Sequence, residues 1–387
     1  MNPIDQILSK AVKEDVVPFV VAMAGNSGGT IYSGASGSSN DGVCASEDTL
    51  FRMFSMSKGI GSLAALILLE REAFSIETPV ADIVPEWKDI KVLDGWDDDK
   101  PVLREPKSTA TIRHLMTHTS GLEYELWNSE IATYLEKTGH PSFLIGSRQS
   151  LMYPLTSDPG TRWGYGLSTD WLARVVEEAS GQSIDAFCKN EIFDPLGMRN
   201  TVFEPEDSDK QLASLMLRNE EGQFVPFELA PPSRPEVYGM GHALYSTGPD
   251  FMRFTRMVLN GGELDGARII SSETAALMEK DMMQGLKFTP AASAAPAIST
   301  DLDPLPGMTC THSLVFLRNE DQTDGLRSTG SLTWAGGCNT HFWIDPAKDV
   351  CGLFLTQCLP FLDPKMVSAY RAFERATYEA LSSGEIG

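Results

Sequence analysis

Residues 55–72 read Ser-Met-Ser-Lys-Gly-Ile-Gly-Ser-Leu-Ala-Ala-Leu-Ile-Leu-Leu-Glu-Arg-Glu. From Gly59 to Leu69 the run is apolar nearly all round, which predicts a helix buried in the middle of the protein. Ser55 and Lys58 stand three apart at its start, a spacing that puts both on one helix face with the amine in reach of the hydroxyl. A helix N-terminus also offers unpaired N–H groups and the positive end of the dipole, both suited to a developing oxyanion. Burial disfavours a charged lysine, so Lys58 is a candidate proton acceptor. By itself Ser-x-x-Lys is a weak motif, because a helix cap followed by a surface lysine gives the same pattern. Its position at the mouth of an all-apolar helix is what singles it out.

Outward from this helix, both ends of the chain read as sheet and helix. Ile4, Ile7, Leu8, Ala11 and Val12 mark one face of an N-terminal helix over residues 4–14. Phe19 to Ala24 reads as a buried strand, Gly25-Asn26-Ser27-Gly28-Gly29 as a tight turn, and Thr30 to Ser33 as the hairpin partner. That Gly-Asn-Ser-Gly-Gly also fits the nucleophile elbow of α/β-hydrolases, but the elbow joins a strand to a helix, and here strands flank it on both sides. Strands are expected again at 313–317, 329–334, 340–345 and 350–357, and a last amphipathic helix at 364–382. Between the two ends, residues 76–235 are mostly helical, including an amphipathic helix over 169–180 that ends before Gly181. The fold expected is α/β (α+β): an antiparallel sheet flanked by N- and C-terminal helices, with the helix after Ser55 on the other face. The domain boundaries expected are 1–75 for the N-terminal part, 76–235 for the helical insertion and 236–387 for the C-terminal part. The Ala-, Pro- and Ser-rich stretch 289–306 reads as a mobile loop, a flap over a site.

Composition narrows the function classes. The 387 residues are 42% hydrophobic and 22% charged, which suits a globular chain with a sizeable core. A formal charge of −22 argues against nucleic acid and anionic membrane surfaces as partners. No apolar run reaches the roughly 18 residues of a membrane helix. The start, Met1-Asn2-Pro3-Ile4-Asp5, lacks the basic region and apolar core of a secretory signal. Six cysteines without regular spacing read as buried free thiols, so a cytoplasmic location is expected. A homo-oligomer is compatible with all of this.

Further motifs carry a resemblance. Residues 159–181 contain Trp163-Gly164-Tyr165 before a helix that ends in Ser180-Gly181. Ile112 to Leu122 reads Ile-Arg-His-Leu-Met-Thr-His-Thr-Ser-Gly-Leu, with Tyr124 just after it. Tyr238 to Thr247 and Trp334-Ala335-Gly336-Gly337 complete the set. On these residues, and over most of its length, the chain resembles the serine β-lactamases of class C and penicillin-binding proteins. More closely it resembles their family VIII carboxylesterases. Gly330 to Trp334 and Ile344-Asp345-Pro346 are similar to the fungal statin side-chain acyltransferases within that group.

The resemblance implies the serine β-lactamase/transpeptidase-like fold and a covalent mechanism that needs no metal or cofactor. It implies Ser55, Lys58 and Tyr165 as catalytic residues, with the N–H groups of Ser55 and Gly337 as the oxyanion hole. Tyr124, Trp334, Trp127 and Gly336 would contact substrate. Apart from the resemblance, their apolar character makes Trp127, Tyr153, Trp334 and the Met-rich 278–283 segment candidates for an acyl pocket. Tyr238 to Thr247 matches the segment that re-enters the sheet. Ser328-Thr329-Gly330 offers a second register for the Lys-Thr-Gly strand of lactamases. Either register lacks the lysine that holds a substrate carboxylate, a contact worth roughly 1.5–3 kcal/mol. Neutral esters of short to medium acyl groups are therefore the substrate expected, with water or an alcohol as acceptor. A β-lactamase or D-amino-acid peptidase and a non-catalytic scaffold stand as alternatives. His114 and His118, four apart, have no adjacent glutamate or third ligand, so a structural role is expected for both.

Overall fold

The computed structural model describes residues 3–206, 211–323 and 325–386. Ile4, Leu8 and Ala11 form the buried stripe of helix α1 (Pro3–Lys13). They pack with Met366, Tyr370 and Phe373 of the last helix, Pro364–Ser383, against Val20, Ala22, Trp343 and Phe354 of a sheet. Among the described residues that sheet has eight strands, all paired antiparallel. Three come from the N-terminal part: β1 (Phe19–Gly25), β2 (Thr30–Asn40) and β3 (Val43–Cys44). Five come from the C-terminal part: β4 (Cys310–His312), β5 (Leu317–Asn319), β6 (Leu332–Gly336), β7 (Thr340–Asp345) and β8 (Val350–Leu355). The order across the sheet is β4-β5-β6-β7-β8-β1-β2-β3, so the N- and C-terminal parts meet where β1 pairs with β8, with Val21 opposite Leu355. This is the antiparallel sheet flanked by N- and C-terminal helices that the sequence predicts.

The 25–29 segment is a hairpin turn between β1 and β2, closed by Asn26 N donating to Gly29 O at 2.9 Å. The expected strand 313–317 is instead the turn between β4 and β5. The Ser313 hydroxyl oxygen accepts from Val315 N (3.1 Å) and Phe316 N (2.9 Å), side-chain chemistry that ends strands.

Helix α2 (Ser57–Glu70) is buried along nearly its whole length. It does not lie directly on the sheet, as expected from its apolarity. That face is covered by a helix over Gly248–Leu259, whose Phe251 meets Phe342 at 5.5 Å between ring centroids and whose Phe254 meets Phe316 at 6.1 Å. α2 packs behind it, where Phe254 approaches Gly59, and against α3 (Ser168–Ser180). Numbered in the same order, the helices over Gly248–Leu259 and Pro364–Ser383 are α4 and α5. The 76–235 segment also holds two hairpins, Val92–Asp97 with Lys100–Arg104 and Met216–Arg218 with Phe224–Pro226. The Tyr238–Thr247 segment does not rejoin the main sheet. Tyr245–Ser246 pairs with Phe51–Arg52, just ahead of Ser55. All six cysteines are free; Cys44 is exposed rather than buried.

Candidate active site

Ser55 lies in a single 3-10 turn, Phe54–Met56, that runs directly into α2. Phe54 has φ +42°, a left-handed conformation uncommon for an aromatic residue, so the chain bends sharply just before Ser55. The bend is held from outside. Met53 N donates to Leu244 O (2.9 Å), and the Ser57 hydroxyl accepts from Leu244 N (3.1 Å). These bonds fix the 239–246 segment to the turn and deliver a carbonyl, that of Gly241, to Lys58.

Lys58 is buried and its Nζ donates in three directions: to Ser55 Oγ at 3.3 Å, Tyr124 OH at 3.1 Å and Gly241 O at 2.9 Å. It also sits 4.8 Å from the ring centre of Tyr165 and 5.0 Å from that of Tyr124. Burial pulls its pKa down to about 7, against the opposing attraction of the Asp170 carboxylate. The same burial pushes the Tyr165 phenol up, although hydrogen bonds with Ser55 and with Trp334 Nε1 (3.2 Å) oppose it. Near neutral pH the set therefore holds a phenol that keeps its proton and an amine able to take one.

Asp170 on α3 is fully buried behind these groups. It accepts from Tyr124 OH (3.2 Å) and Gly241 N (2.7 Å), with His242 Nδ1 at 3.6 Å. Burial alone would raise its pKa; His242, the Lys58 charge and the Gly241 N–H outweigh that and hold it low. Gly241 has to be glycine here, because a Cβ would lie 2.6 Å from Tyr124 OH and 2.7 Å from Asp170 Oδ1.

The C-terminal wall is the end of β6. A Cβ on Gly336 would stand 2.2 Å from Met53 O, so only glycine lets this strand close onto the Ser55 turn. Gly337 follows, with open space around the Cβ position it lacks, at the edge of a cavity of about 90 Å³. Ser55, Tyr124, Trp127, Gly241, His242 and Gly337 line that cavity, and most of its remaining wall is apolar: Phe54, Leu126, Phe143, Leu144, Leu229 and Phe361 among others. Ile298 and Ser299 close it from the 289–306 stretch. That roof is tied down by Trp127 Nε1 donating to Thr300 O (3.1 Å) and by Ala294 N donating to Leu126 O (2.8 Å).

The structure thus brings Ser55, Lys58, Tyr124, Tyr165 and Trp334 into contact, with Trp127 and Gly337 on the same cavity. Trp334 and Gly336 stand behind the site, not on its lining. Ser328-Thr329-Gly330 lies in the turn before β6, with Ser328 N donating to Asp345, whereas Gly336 packs on the Ser55 turn. Tyr153 and the 278–283 methionines do not reach the cavity. Tyr153 OH bridges Glu125 and Phe143 N, and Met278 and Met283 are core. His114 caps its own helix by accepting from Thr111 N (3.1 Å). His118 is buried beside Tyr165 and Trp334, its pKa driven down by burial and by its neighbours His312 and Lys58. Asp170, Gly241 and His242 were not singled out by sequence. The available signal was an aspartate inside the apolar stripe of a helix that begins three residues after Tyr165.

The family model described as Beta-lactamase matches residues 4–377. The lovastatin esterase of Penicillium rubens is 28% identical over 354 residues, covering 87% of this chain and 86% of that protein. The monacolin J acid methylbutanoyltransferase of Aspergillus terreus is 28% identical over 401 residues, covering 97% and 95%. Among solved structures, unliganded simvastatin synthase from Aspergillus terreus superposes with a TM-score of 0.83 at 27% identity, over 97% of both chains. A hydrolase with promiscuous acyltransferase activity, EstCE1, shares the fold with a TM-score of 0.77 at 24% identity, over 97% of both chains. No helix among the described residues is long and apolar enough to cross a membrane.

Proposed function

The chain belongs to the β-lactamase family as a serine hydrolase, and from that premise we propose that it is a carboxylesterase acting on small neutral esters through an acyl-enzyme on Ser55. The observation that carries this is Lys58 Nζ, buried and 3.3 Å from Ser55 Oγ at the wall of an apolar cavity. Ser55 Oγ attacks the ester carbonyl while its proton passes across that contact to neutral Lys58, with the Tyr165 hydroxyl hydrogen-bonded to Ser55. The N–H groups of Ser55 and Gly337 receive the oxyanion. As the tetrahedral intermediate collapses, the alcohol leaves with the proton and the acyl group stays on Ser55. Water attacking along the same path regenerates the hydroxyl and releases the acid.

The wall of the site supports a neutral acyl group. β6 carries Trp334, behind the cavity, where lactamases carry a lysine, and among the described residues the cavity lining includes no arginine or lysine. A volume of about 90 Å³ is below the ~150 Å³ that accepts benzene, which suits short acyl chains. Transfer to an alcohol in place of water is the second reading, supported by the relative named as a methylbutanoyltransferase.

A p-nitrophenyl ester series of rising acyl length, run with and without added alcohol, tests both. Ser55→Ala should lose at least ~10³-fold in kcat/KM, and a fluorophosphonate should label Ser55 stoichiometrically. No adduct on Ser55 would overturn the mechanism. An ester product in the presence of alcohol would favour transfer.

A further inference from the structure

Asp170 is wholly buried, yet the groups around it outweigh the effect of burial and hold its carboxyl below the usual carboxylate range. A charge in the interior is costly unless its bonds do what a neutral group could not. Those bonds converge on Lys58. Oδ2 accepts from the Tyr124 hydroxyl at 3.2 Å, and Oδ1 accepts from Gly241 N at 2.7 Å. Tyr124 OH and Gly241 O are in turn two of the three partners of Lys58 Nζ, at 3.1 and 2.9 Å. The third is Ser55 Oγ at 3.3 Å.

Chemistry fixes the direction of each bond. A carboxylate can only accept, so the bond to Asp170 carries the Tyr124 proton. Burial, and then the Asp170 charge, push the Tyr124 phenol well up, so it keeps that proton. Tyr124 has only a lone pair left for Lys58, and the Gly241 carbonyl never has anything else. Protonated Lys58 fills all three contacts with its three hydrogens. Neutral Lys58 has two hydrogens and one lone pair, and Ser55 is the one partner able to supply a hydrogen in return. We propose that Asp170 is a positioning residue: by taking the Tyr124 proton and holding Gly241, it commits both hydrogens of neutral Lys58 and aims the lone pair at Ser55. The Asp170 charge has a second effect, because burial lowers the Lys58 pKa and this carboxylate opposes the fall. Among the described residues, the other titratable groups facing Lys58 and Asp170 are His118, Tyr165 and His242, with Glu125 beyond Tyr124.

The inference rests on the acyl-enzyme reading with Lys58 as base, and its test reads that pair apart from any ester. The rate constant for labelling of Ser55 by a fluorophosphonate is followed from about pH 5 to 8.5 on the wild type, Asp170→Asn, Tyr124→Phe and the double variant. In Asp170→Asn the Gly241 N–H, a donor only, keeps the amide oxygen, so the amide NH2 turns to Tyr124. Tyr124 then accepts from that NH2 and offers its own proton to Lys58, occupying the lone pair. The plateau rate should fall about 10–100-fold. With the charge gone, the acid limb should move down by about one pH unit. Tyr124→Phe keeps the carboxylate but removes one acceptor, so its plateau should fall by a similar factor. Both variants act on one lone pair, so in the double variant the losses should fall well short of multiplying. A wild-type plateau in Tyr124→Phe overturns the proposal even if Asp170→Asn fails to fold. So does an Asp170→Asn plateau that drops with its acid limb unmoved, the mark of a merely structural role. Labelling that follows the expected pattern while no p-nitrophenyl ester is turned over would support the proposal and overturn the esterase reading alone.

Discussion

Lys58 is a base because it is buried, and the same burial has a thermodynamic cost. Its pKa falls from 10.5 to about 7 in the folded chain, so the folded state resists the charge that the unfolded state accepts freely. The sign follows. The penalty is absent above the unfolded pKa, grows as pH falls from about 10.5, and is complete below about 7. At neutral pH it amounts to roughly 4–5 kcal/mol. Lys58→Met removes it but forfeits bonds to Ser55, Gly241 and Tyr124, each worth about 1 kcal/mol. The variant is expected to be inactive and about 2 kcal/mol more stable near pH 7, with the gain shrinking toward pH 10. Urea melts at several pH values check this, and equal or lower stability at pH 7 contradicts it. In the active enzyme, kcat/KM should rise through a pKa near 7 as Lys58 loses its proton; a flat profile from pH 5.5 to 8.5 would remove Lys58 as the base.

Two elements, the Ser55 turn and the end of β6, have to touch for the oxyanion hole to form. Gly336→Ala tests that contact, because its methyl would collide with backbone at Met53 O rather than with a movable side chain. The expected outcome is a kcat lowered about 10²–10³-fold, as for loss of one oxyanion donor, with KM changed far less and circular dichroism unaltered. Wild-type kcat would show that the strand end need not close on the turn. Elements also mark the limits of sequence reading. α2 was legible because a segment buried on every side leaves no polar stripe, and the Ser55–Lys58 contact was legible because helical spacing alone creates it. Residues 313–317 were misread because Ser313 bonds the backbone of its own turn. Asp170 and His242 carried little signal, since they lie 72 residues apart in sequence and gain meaning only when α3 and the 239–246 segment meet.

At the scale of the whole molecule, one buried ion pair fastens the last helix to the catalytic wall. Arg327, just ahead of β6, is 1% exposed and donates to both carboxylate oxygens of Glu374 on α5 (2.7 and 3.0 Å) and to Tyr370 OH (3.0 Å). Removing one partner strands a buried charge, so Glu374→Ala should destabilise the protein by about 3–5 kcal/mol. An unchanged urea midpoint would refute this. The fold class was legible at this scale because strands at both ends of the chain and helices between them admit few arrangements. The order of the strands was not, since no local pattern says that β1 lies beside β8. That neighbourhood governs how the chain is made. Val21 pairs with Leu355, more than 300 residues later. While the chain is being synthesised, β1 keeps one open edge, and it stays so until β8 has left the ribosome. A chain interrupted before β8 retains an unpaired β1 edge ready to pair with a neighbour.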